Sequence, residues 1–505
     1  DVSVAAHVGF HGGMALAMLV FSIIEGTTEF DVENVCIKDT RFRDFISEII
    51  AGEAWGSMDI TESGAGSDMA AMTTRGEQDE DGNWYLTGQK IFITSGHAKY
   101  HFVIARTEET DKDDAFAGLQ GLSMFLVPAY RTGDDGNREY LATFDSLEEK
   151  LGHHGSATVA ISYNRTPAFL IGKRGEGFRL MLLLMNNARV GVGFESLGVC
   201  ESAWRLAKAY AAERESMGKT LDHHEMIADY LAEMETDIQA LRAMCVSGSM
   251  EEEQVQRKGI LMNVVPPKDD AERKAIEKEI DGHRKKSRRI TPLIKYLGAE
   301  KAVEMSRRCI QIHGGFGYTR EYGAEKLLRD AMVLPIYEGT SQIQSLMVTK
   351  DNLLGILKNP GGFVSDNINA CWRSWFGGSS MERRVARLQA RFYAILRYLM
   401  RRLFMKKLNG MRQQPMNTWG AALKDWDPKR AFALAMLHAE RLTRMMIDVV
   451  ACEVLLEQAK RFPERQEVLE RYLERAEPRS RFLHREIISM GDDLLKRLES
   501  QEKKS

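Results

Sequence analysis

The segment Ile336-Tyr337-Glu338-Gly339-Thr340-Ser341-Gln342-Ile343-Gln344 sets one carboxylate beside a glycine and several small polar residues, directly after an apolar run. A carboxylate in apolar surroundings has its charged form disfavoured, which raises its pKa toward values useful for taking a proton from carbon. Gly339 would let a flat cofactor or a thioester approach the backbone, and Thr340 and Gln342 could donate hydrogen bonds to it. The alternative is a loop in which Glu338 only caps a helix.

Three further motifs bear on this choice. The loop Thr61-Glu62-Ser63-Gly64-Ala65-Gly66-Ser67-Asp68 has glycines, hydroxyls and free amides that could wrap a pyrophosphate or a ribityl chain. It lacks the third glycine of the dinucleotide fingerprint. The alternating stretch 84–96 predicts a strand, with Gly82 and Gly88 at its turns. The stretch Gln311-Ile312-His313-Gly314-Gly315-Phe316-Gly317-Tyr318 is a glycine-rich loop between two helical segments.

In this order the four motifs resemble those of the acyl-CoA dehydrogenase family, from residue 1 to about residue 358. The resemblance implies a mainly α fold with a central β domain: an α-helical N-terminal part, a β-barrel-like middle domain and a four-helix C-terminal bundle. It also implies that Glu338 abstracts the α-proton of an acyl-CoA while N5 of FAD accepts a hydride from the β-carbon. The product would be a trans-2-enoyl-CoA, and the electrons would pass to electron-transferring flavoprotein in fatty-acid oxidation.

The resemblance also implies which residues bind. FAD would contact Met58, Ile60, Thr61, Ser67, Phe92, Thr94, Arg214, Met217, Gln311, Gly314, Gly315, Thr340 and Gln342. The acyl-CoA would contact Ser67, Asn186, Arg189, Tyr337 and Gly339. Arg214 matches a residue that reaches the FAD pyrophosphate of a neighbouring subunit, so a homodimer or higher homo-oligomer is expected. Many relatives have tryptophan in place of Phe92 and aspartate in place of Asn186. The structural alternative for Arg189 is an arginine on a helix surface.

Length and composition agree with an enzyme of several domains. The net charge of −3 gives no general argument for nucleic acid, and the six cysteines are scattered, as in a reduced cytosolic protein. The histidines show no metal-binding spacing, so no metal is predicted. No transmembrane span is predicted, and the longest apolar stretch, Met14 to Ile24, is interpreted as a buried helix. The start at Asp1 resembles the middle of the family's N-terminal helical domain, so about one hundred residues are expected to lie outside this sequence.

Four domains are predicted. They are the remainder of an N-terminal helical domain (1–55), a middle β domain (56–172), a helical bundle (173–358) with a charged insert (251–290), and an added helical domain (372–505). The insert and the added domain resemble the subgroup that includes 3-methylmercaptopropionyl-CoA and fatty acyl-CoA dehydrogenases.

A basic, amphipathic segment in the added domain, 383–407, allows three interpretations. The first is a solvated helix packed on the dehydrogenase body, because charge runs usually face water. The second is docking on an anionic membrane surface. The third and least favoured is nucleic-acid binding, since no base-reading element is visible. A cytoplasmic location is expected, peripheral to the inner membrane if the second interpretation holds.

Two other functions remain open. An acyl-CoA oxidase of the same fold would give its electrons to oxygen, and the motifs do not separate it from a dehydrogenase. A flavin-loaded protein with vestigial catalysis would instead bind DNA or a membrane through 383–407.

Overall fold

The computed structural model describes residues 1–109, 117–412 and 432–502. The chain divides into two units. The first unit contains residues 1–199, 249–287 and 316–338, and the second contains 200–248, 288–315 and 339–505. The domain boundaries inferred from the sequence stay predictions.

The first unit begins with helix α1 (Val2–Ile24), a hairpin of β1 (Glu29–Asp31) and β2 (Cys36–Asp39), and helix α2 (Arg43–Ile50). The hairpin was not predicted. The sequence analysis predicted no segment long and apolar enough to cross a bilayer. This was wrong by the criteria of length and composition, because α1 meets both. The residues Met14, Met18 and Phe21 nevertheless pack into a core cluster with strand residues, as they would in a buried helix of a globular protein.

The middle of the first unit is built from strands. They are β3 (Gly56–Asp59), β4 (Arg75–Gln78), β5 (Trp84–Thr94), β6 (Tyr100–Arg106), β7 (Leu122–Pro128), β8 (Tyr130–Thr132), β9 (Arg138–Tyr140), β10 (Ala142–Leu147) and β11 (Thr158–Ile171), with the short helix α3 (Ala117–Gln120) before β7. Strand β7 pairs with both β6 and β11, and β11, β5, β4 and β6 pair in that order. These five strands therefore close into a ring, which confirms the β-barrel-like middle domain.

Gly88 corrects one detail of the sequence analysis, because it lies inside β5 and not in a turn. Its φ is 151°, and a Cβ there would come within 2.5 Å of the Thr74 side chain. Glycine is required at this position because the backbone segment that contains Thr74 passes so close to the strand. Gly82, with φ 87°, does lie in the predicted turn.

Three long helices follow the strands in the chain. They are α4 (Gly177–Glu213), α5 (Glu225–Val264) and α6 (Asp270–His313), and a small hairpin of β12 (Glu215–Ser216) and β13 (Lys219–Thr220) precedes α5. The charged insert is the end of α5 and the start of α6. Within the first unit Lys258 Nζ contacts Glu279 Oε2 at 2.6 Å and Ser287 Oγ donates to Glu252 at 2.5 Å, so the insert is a helical hairpin. The short helices α7 (Gly315–Tyr318) and α8 (Ala324–Ala331) follow.

The second unit combines parts of α4, α5 and α6 with further helices. These are α9 (Ser341–Lys358), α10 (Pro360–Phe376), α11 (Ser380–Arg412), α12 (Ala433–Leu437), α13 (Ala439–Arg461), α14 (Gln466–Ser489) and α15 (Asp492–Glu502). Helix α11 packs against α10, α13 and α14, and α13 also packs on α9. A buried ion pair joins α13 to α14, because Arg479 donates to both carboxylate oxygens of Asp448 at 3.0 and 2.6 Å. The predicted extra helices are therefore present.

Helix α11 contains the basic segment 383–407. Most apolar side chains of this segment are buried, and only Phe404 and Met405 among its large ones described are exposed; the buried ones include Val385, Leu388, Phe392, Ile395, Leu396, Leu399 and Leu403. Several of its arginines are paired, among them Arg384 with Glu477 at 2.9 Å and Arg402 with Asp492 at 2.5 Å. This packing favours the first of the three interpretations. The side chains of Lys406 and Lys407, and residues 413–431 and 503–505, lie outside the described part of the chain.

Candidate active site

Glu338 does not cap a helix. The N-cap of α9 is Thr340, whose Oγ1 accepts a hydrogen bond from the backbone N–H of Ile343 at 3.1 Å. Glu338 itself has a φ of 54°, in the left-handed region that side chains other than glycine rarely adopt. Such conformations are retained where the surroundings hold them, and they cluster at functional sites. The interpretation of Glu338 as a simple capping residue is therefore wrong.

Arg189 lies beside Glu338 in the first unit. It is 5% exposed, and its Nε donates to the backbone carbonyl of Glu338 over a long 3.5 Å. Burial lowers the pKa of the Arg189 guanidinium, and the charge of Glu338 opposes that shift. The alternative of a surface arginine is thus wrong, and the role of Arg189 in binding the substrate stays a prediction.

The residue before Glu338 is also held by α4. The hydroxyl of Tyr337 donates a hydrogen bond to Glu195 Oε2. The other oxygen of Glu195 lies 3.8 Å from Nε2 of His153. Burial raises the pKa of Glu195 to about 7. The sequence analysis missed both Glu195 and His153. The available signal was a lone carboxylate in an apolar stretch of α4, between Phe194 and Leu197.

The predicted flavin residues of the first unit come together around β5. The backbone carbonyl of Thr61 accepts from Ile91 N at 2.9 Å, which fastens the glycine loop to the strand that carries Phe92 and Thr94. Met58 ends up in β3, and Ile60 follows that strand directly. Ser67 is exposed at the far end of the same loop. The structure therefore brings together Met58, Ile60, Thr61, Phe92 and Thr94.

A buried ion pair supports this loop. Lys90 Nζ lies 2.8 Å from Glu62 Oε1 and 3.0 Å from the carbonyl of Ile60, and the Lys90 side chain is fully buried. Glu62 also accepts hydrogen bonds from the backbone N–H groups of Thr73 and Thr74 at 2.7 and 3.1 Å. Burial alone would raise the pKa of Glu62, but the Lys90 charge and these hydrogen bonds lower it to about 2.

The predicted cofactor residues of the second unit lie on its surface. Arg214 directly precedes β12, and Met217, which is 94% exposed, lies in the β12–β13 turn. Gln311, Gly314 and Gly315 are exposed at the end of α6. Gln342 Nε2 donates to Glu440 Oε1 of α13 at 3.0 Å, a contact from the added domain that sequence reasoning missed.

The donor set in the first unit fits a flavin. Phe92 is 60% exposed on β5 with φ 60°, so it offers a free aromatic face on which a planar ring could stack. The half-buried Thr61 and Thr94 supply hydroxyl groups beside it. Asn186 is half-buried in α4, and the neighbouring Asn187 accepts from Gln256 of the insert at 2.7 Å. The roles of Asn186, Ser67 and Gly339 stay predictions.

Two family models match this chain. The middle domain of acyl-CoA dehydrogenases matches residues 57–166, and their C-terminal domain matches residues 175–265 and 272–353. Together they cover more than half of the chain.

Among the described residues, no group of three or more His, Cys, Asp or Glu is placed to hold a metal ion.

Individual relatives point to the same family as the two family models. The 3-methylmercaptopropionyl-CoA dehydrogenase of Ruegeria pomeroyi is 30% identical over 70% of this chain, which spans 62% of that protein. The NADH-dependent acryloyl-CoA reductase of Anaerotignum propionicum is 30% identical over 61% of this chain and 68% of its own. The solved acyl-CoA dehydrogenase of Bacillus anthracis, complexed with FAD, covers 92% of this chain and 74% of its own, with a TM-score of 0.66 at 18% identity.

The chain therefore belongs to the acyl-CoA dehydrogenase family, whose members are oxidoreductases that bind FAD. The fold class predicted from the sequence is confirmed over most of the chain.

Proposed function

We propose that this protein removes one hydrogen from each of the α and β carbons of an acyl-CoA thioester and yields the trans-2-enoyl-CoA. Glu338 is the base that takes the α-proton onto its carboxylate. FAD, when bound, supplies the acceptor for the hydride that leaves the β-carbon. The observation that carries the proposal is the pair of α4 side chains that hold the Glu338 segment: Arg189 at its carbonyl and Glu195 at the preceding tyrosine.

The chain's own groups support this chemistry. Removal of an α-proton from a thioester builds negative charge on the carbonyl oxygen, and donors placed in advance stabilise that charge. By family resemblance the backbone N–H of Glu338 is one such donor. The buried guanidinium of Arg189 adds a positive charge nearby. Thr61, Phe92 and Thr94 would hold the flavin ring, and the hydrogen bond from Ile91 of β5 to the carbonyl of Thr61 supports this.

A reductive titration tests this proposal. Without oxygen, the purified yellow protein should lose its flavin absorbance near ~450 nm on addition of one class of acyl-CoA, because hydride transfer reduces the flavin. The panel would run from short to very long chains and include a methylthio acyl-CoA. Rapid loss with one class would name the substrate. If FAD is bound and no acyl-CoA bleaches it, the proposal is wrong.

The electron acceptor is part of the same proposal. We propose electron-transferring flavoprotein, and the alternative is oxygen, as in an oxidase. Turnover that continues anaerobically with the flavoprotein would support the first, and peroxide formation in air at the same rate would support the second. One relative is a reductase, which works in the opposite direction. Reoxidation of the reduced flavin by an enoyl-CoA should therefore be measured in the same cuvette.

We also propose a homodimer or higher homo-oligomer. The β12–β13 hairpin with Arg214 and the 94% exposed Met217 suits insertion into a second copy. A methionine so exposed on a folded hairpin is usual at an interface, where its flexible side chain packs well.

A further surface supports a second, peripheral role. Helix α10 exposes an apolar stripe: Val364, Ile368, Trp372, Trp375 and Phe376. Arg397 of α11 lines the same surface pocket as Trp372 and Trp375, and Arg387 and Arg401 are also exposed. Indole rings beside arginines suit the headgroup level of an anionic bilayer. We propose that this stripe, in place of the buried apolar face of 383–407, docks a cytoplasmic protein on an anionic membrane.

Vesicle flotation tests this surface. The protein should float with phosphatidylcholine vesicles that contain about 30% phosphatidylglycerol and less with pure phosphatidylcholine, since basic residues are drawn to anionic lipid. The double variant Trp372→Ser/Trp375→Ser should lose this binding, while Phe482→Ser, exposed on α14, should not. Equal vesicle binding by the wild type, the double variant and Phe482→Ser would exclude lipid as the partner of the α10 stripe. So would a wild-type dimer that the double variant converts to a monomer.

A further inference from the structure

Glu195 is a buried carboxyl group for which the proposed reaction has no assigned use. Its side chain is 11% exposed. Oε2 accepts the Tyr337 hydroxyl, whereas Oε1 is buried and has no hydrogen-bond partner among the described residues. Because buried polar atoms in native proteins are almost always paired, an unpaired oxygen so close to the base calls for a physical explanation.

The Nε2 atom of His153 has the same property. It is buried, it has no hydrogen-bond partner in the described part of the chain, and it lies 3.8 Å from Glu195 Oε1. The 3.8 Å between the two atoms is longer than a hydrogen bond, so a small movement of either side chain is needed to join them directly. The backbone N–H of His153 donates to Asp330 Oδ1 at 2.7 Å, which holds the main chain of His153 in place. A single proton between the two atoms would satisfy both.

Burial decides which atom holds that proton. Burial raises the pKa of Glu195 to about 7; the Tyr337 hydrogen bond opposes this shift, and the charges of Glu338 and Asp330 add to it. Burial lowers the pKa of His153, against the charge of Asp330 and together with those of Lys150 and Lys326. Below about pH 7 the carboxyl is therefore protonated and the imidazole neutral. The titratable groups that face Glu195 are Tyr337, Glu338, Asp330 and His153.

We infer that Glu195 is a positioning residue that works as a neutral carboxylic acid: it donates to His153 Nε2, accepts from Tyr337, and adds no negative charge beside Glu338. The inference rests on the proposed role of Glu338 as the base. Its first effect is geometric, because a φ of 54° at Glu338 needs neighbours that hold it. Its second effect is electrostatic. When Glu195 ionises at higher pH, like charges repel and Glu338 becomes a stronger base.

Three variants separate these effects. Glu195→Gln keeps a carbonyl oxygen for Tyr337 and an N–H for His153 but cannot ionise. Glu195→Ala removes both contacts. Glu201→Gln, on the same helix with ion pairs to Arg205 and Arg242, is the matched control.

The first readout needs no substrate. A carboxyl whose folded pKa lies near 7, above its ordinary 4.5, stabilises the fold below 4.5 and loses that contribution as the pH rises through 7. The melting temperature of the wild type should therefore fall relative to Glu195→Gln between about pH 4.5 and about pH 7. Glu201→Gln should follow the wild type. Parallel curves for the wild type and Glu195→Gln would overturn the inference.

The second readout is the anaerobic rate of flavin reduction by acyl-CoA. The wild-type rate should rise across pH 7, and this step should be absent from Glu195→Gln. Glu195→Ala should be at least about tenfold slower than Glu195→Gln at every pH, because the glutamine keeps the Tyr337 contact. Equal rates in both variants would overturn the positioning role. If no acyl-CoA reduces the wild-type flavin, the proposed function fails, while the melting curves still decide the protonation of Glu195.

Discussion

Replacement of Glu338 by glutamine should slow flavin reduction by acyl-CoA about 10²- to 10⁴-fold, the range expected when a general base is removed. The amide has nearly the same shape as the carboxylate but no basic oxygen at neutral pH. Stopped-flow absorbance without oxygen measures the rate directly. Folding and FAD content should be kept, because Thr340 and not Glu338 caps α9.

The control for this variant is Glu321→Gln, an exposed carboxylate in the same unit that should reduce flavin like the wild type. If Glu338→Gln bleaches at nearly the wild-type rate, the base is another group, and Glu195 becomes the first candidate because it is a buried carboxyl with a raised pKa that contacts Tyr337. Vesicle binding should survive in Glu338→Gln. Loss of vesicle binding in this variant would mean that membrane binding by α10 depends on the active site.

Short-range pattern predicted much of this molecule. Alternation from 84 to 94 gave β5, and the glycine-containing motifs located the loops that carry Thr61 and Glu338. These signals are visible in a sequence because the residues that cooperate are neighbours in the chain. The hairpin β1–β2 was missed because it is short and its strand residues are mostly exposed, which leaves little alternation between buried and exposed positions.

Long-range pairing was beyond the sequence. Tyr337 and Glu195 are 142 residues apart, and the partner of Glu195 on its other side is in a turn before β11. Nothing in the spacing of those residues indicates contact, because the pairing depends on how α4 and the turn pack in three dimensions. The same holds for Gln342 and Glu440, 98 residues apart. In both cases the sequence motif identified one residue of the contact, Tyr337 or Gln342. It did not identify the distant residue that binds it.

The Lys90–Glu62 pair shows how much depends on such support. Lys90→Met should lower the free energy of unfolding by about 3–5 kcal/mol, because it leaves the carboxylate of Glu62 buried without its counter-charge. Chemical denaturation measures this loss. The carbonyl of Ile60 also loses a donor, so the loop that carries Thr61 should loosen and the purified variant should contain less FAD per chain. Lys99→Met, which breaks a more exposed pair with Glu48, should cost at most about 1 kcal/mol.

The dependence of this loss on pH separates charge from packing. In the wild type the pKa of Glu62 is lowered from 4.5 to about 2, so its ionised form stabilises the fold above 4.5 and that contribution disappears as the pH falls toward 2. Without Lys90 the burial of Glu62 opposes ionisation, and the variant should unfold in acid at a higher pH than the wild type. Adding Glu62→Gln to Lys90→Met removes the stranded charge and should recover part of the stability. If the double variant is as unstable as Lys90→Met, the loss comes from packing of the lysine chain and not from the ion pair.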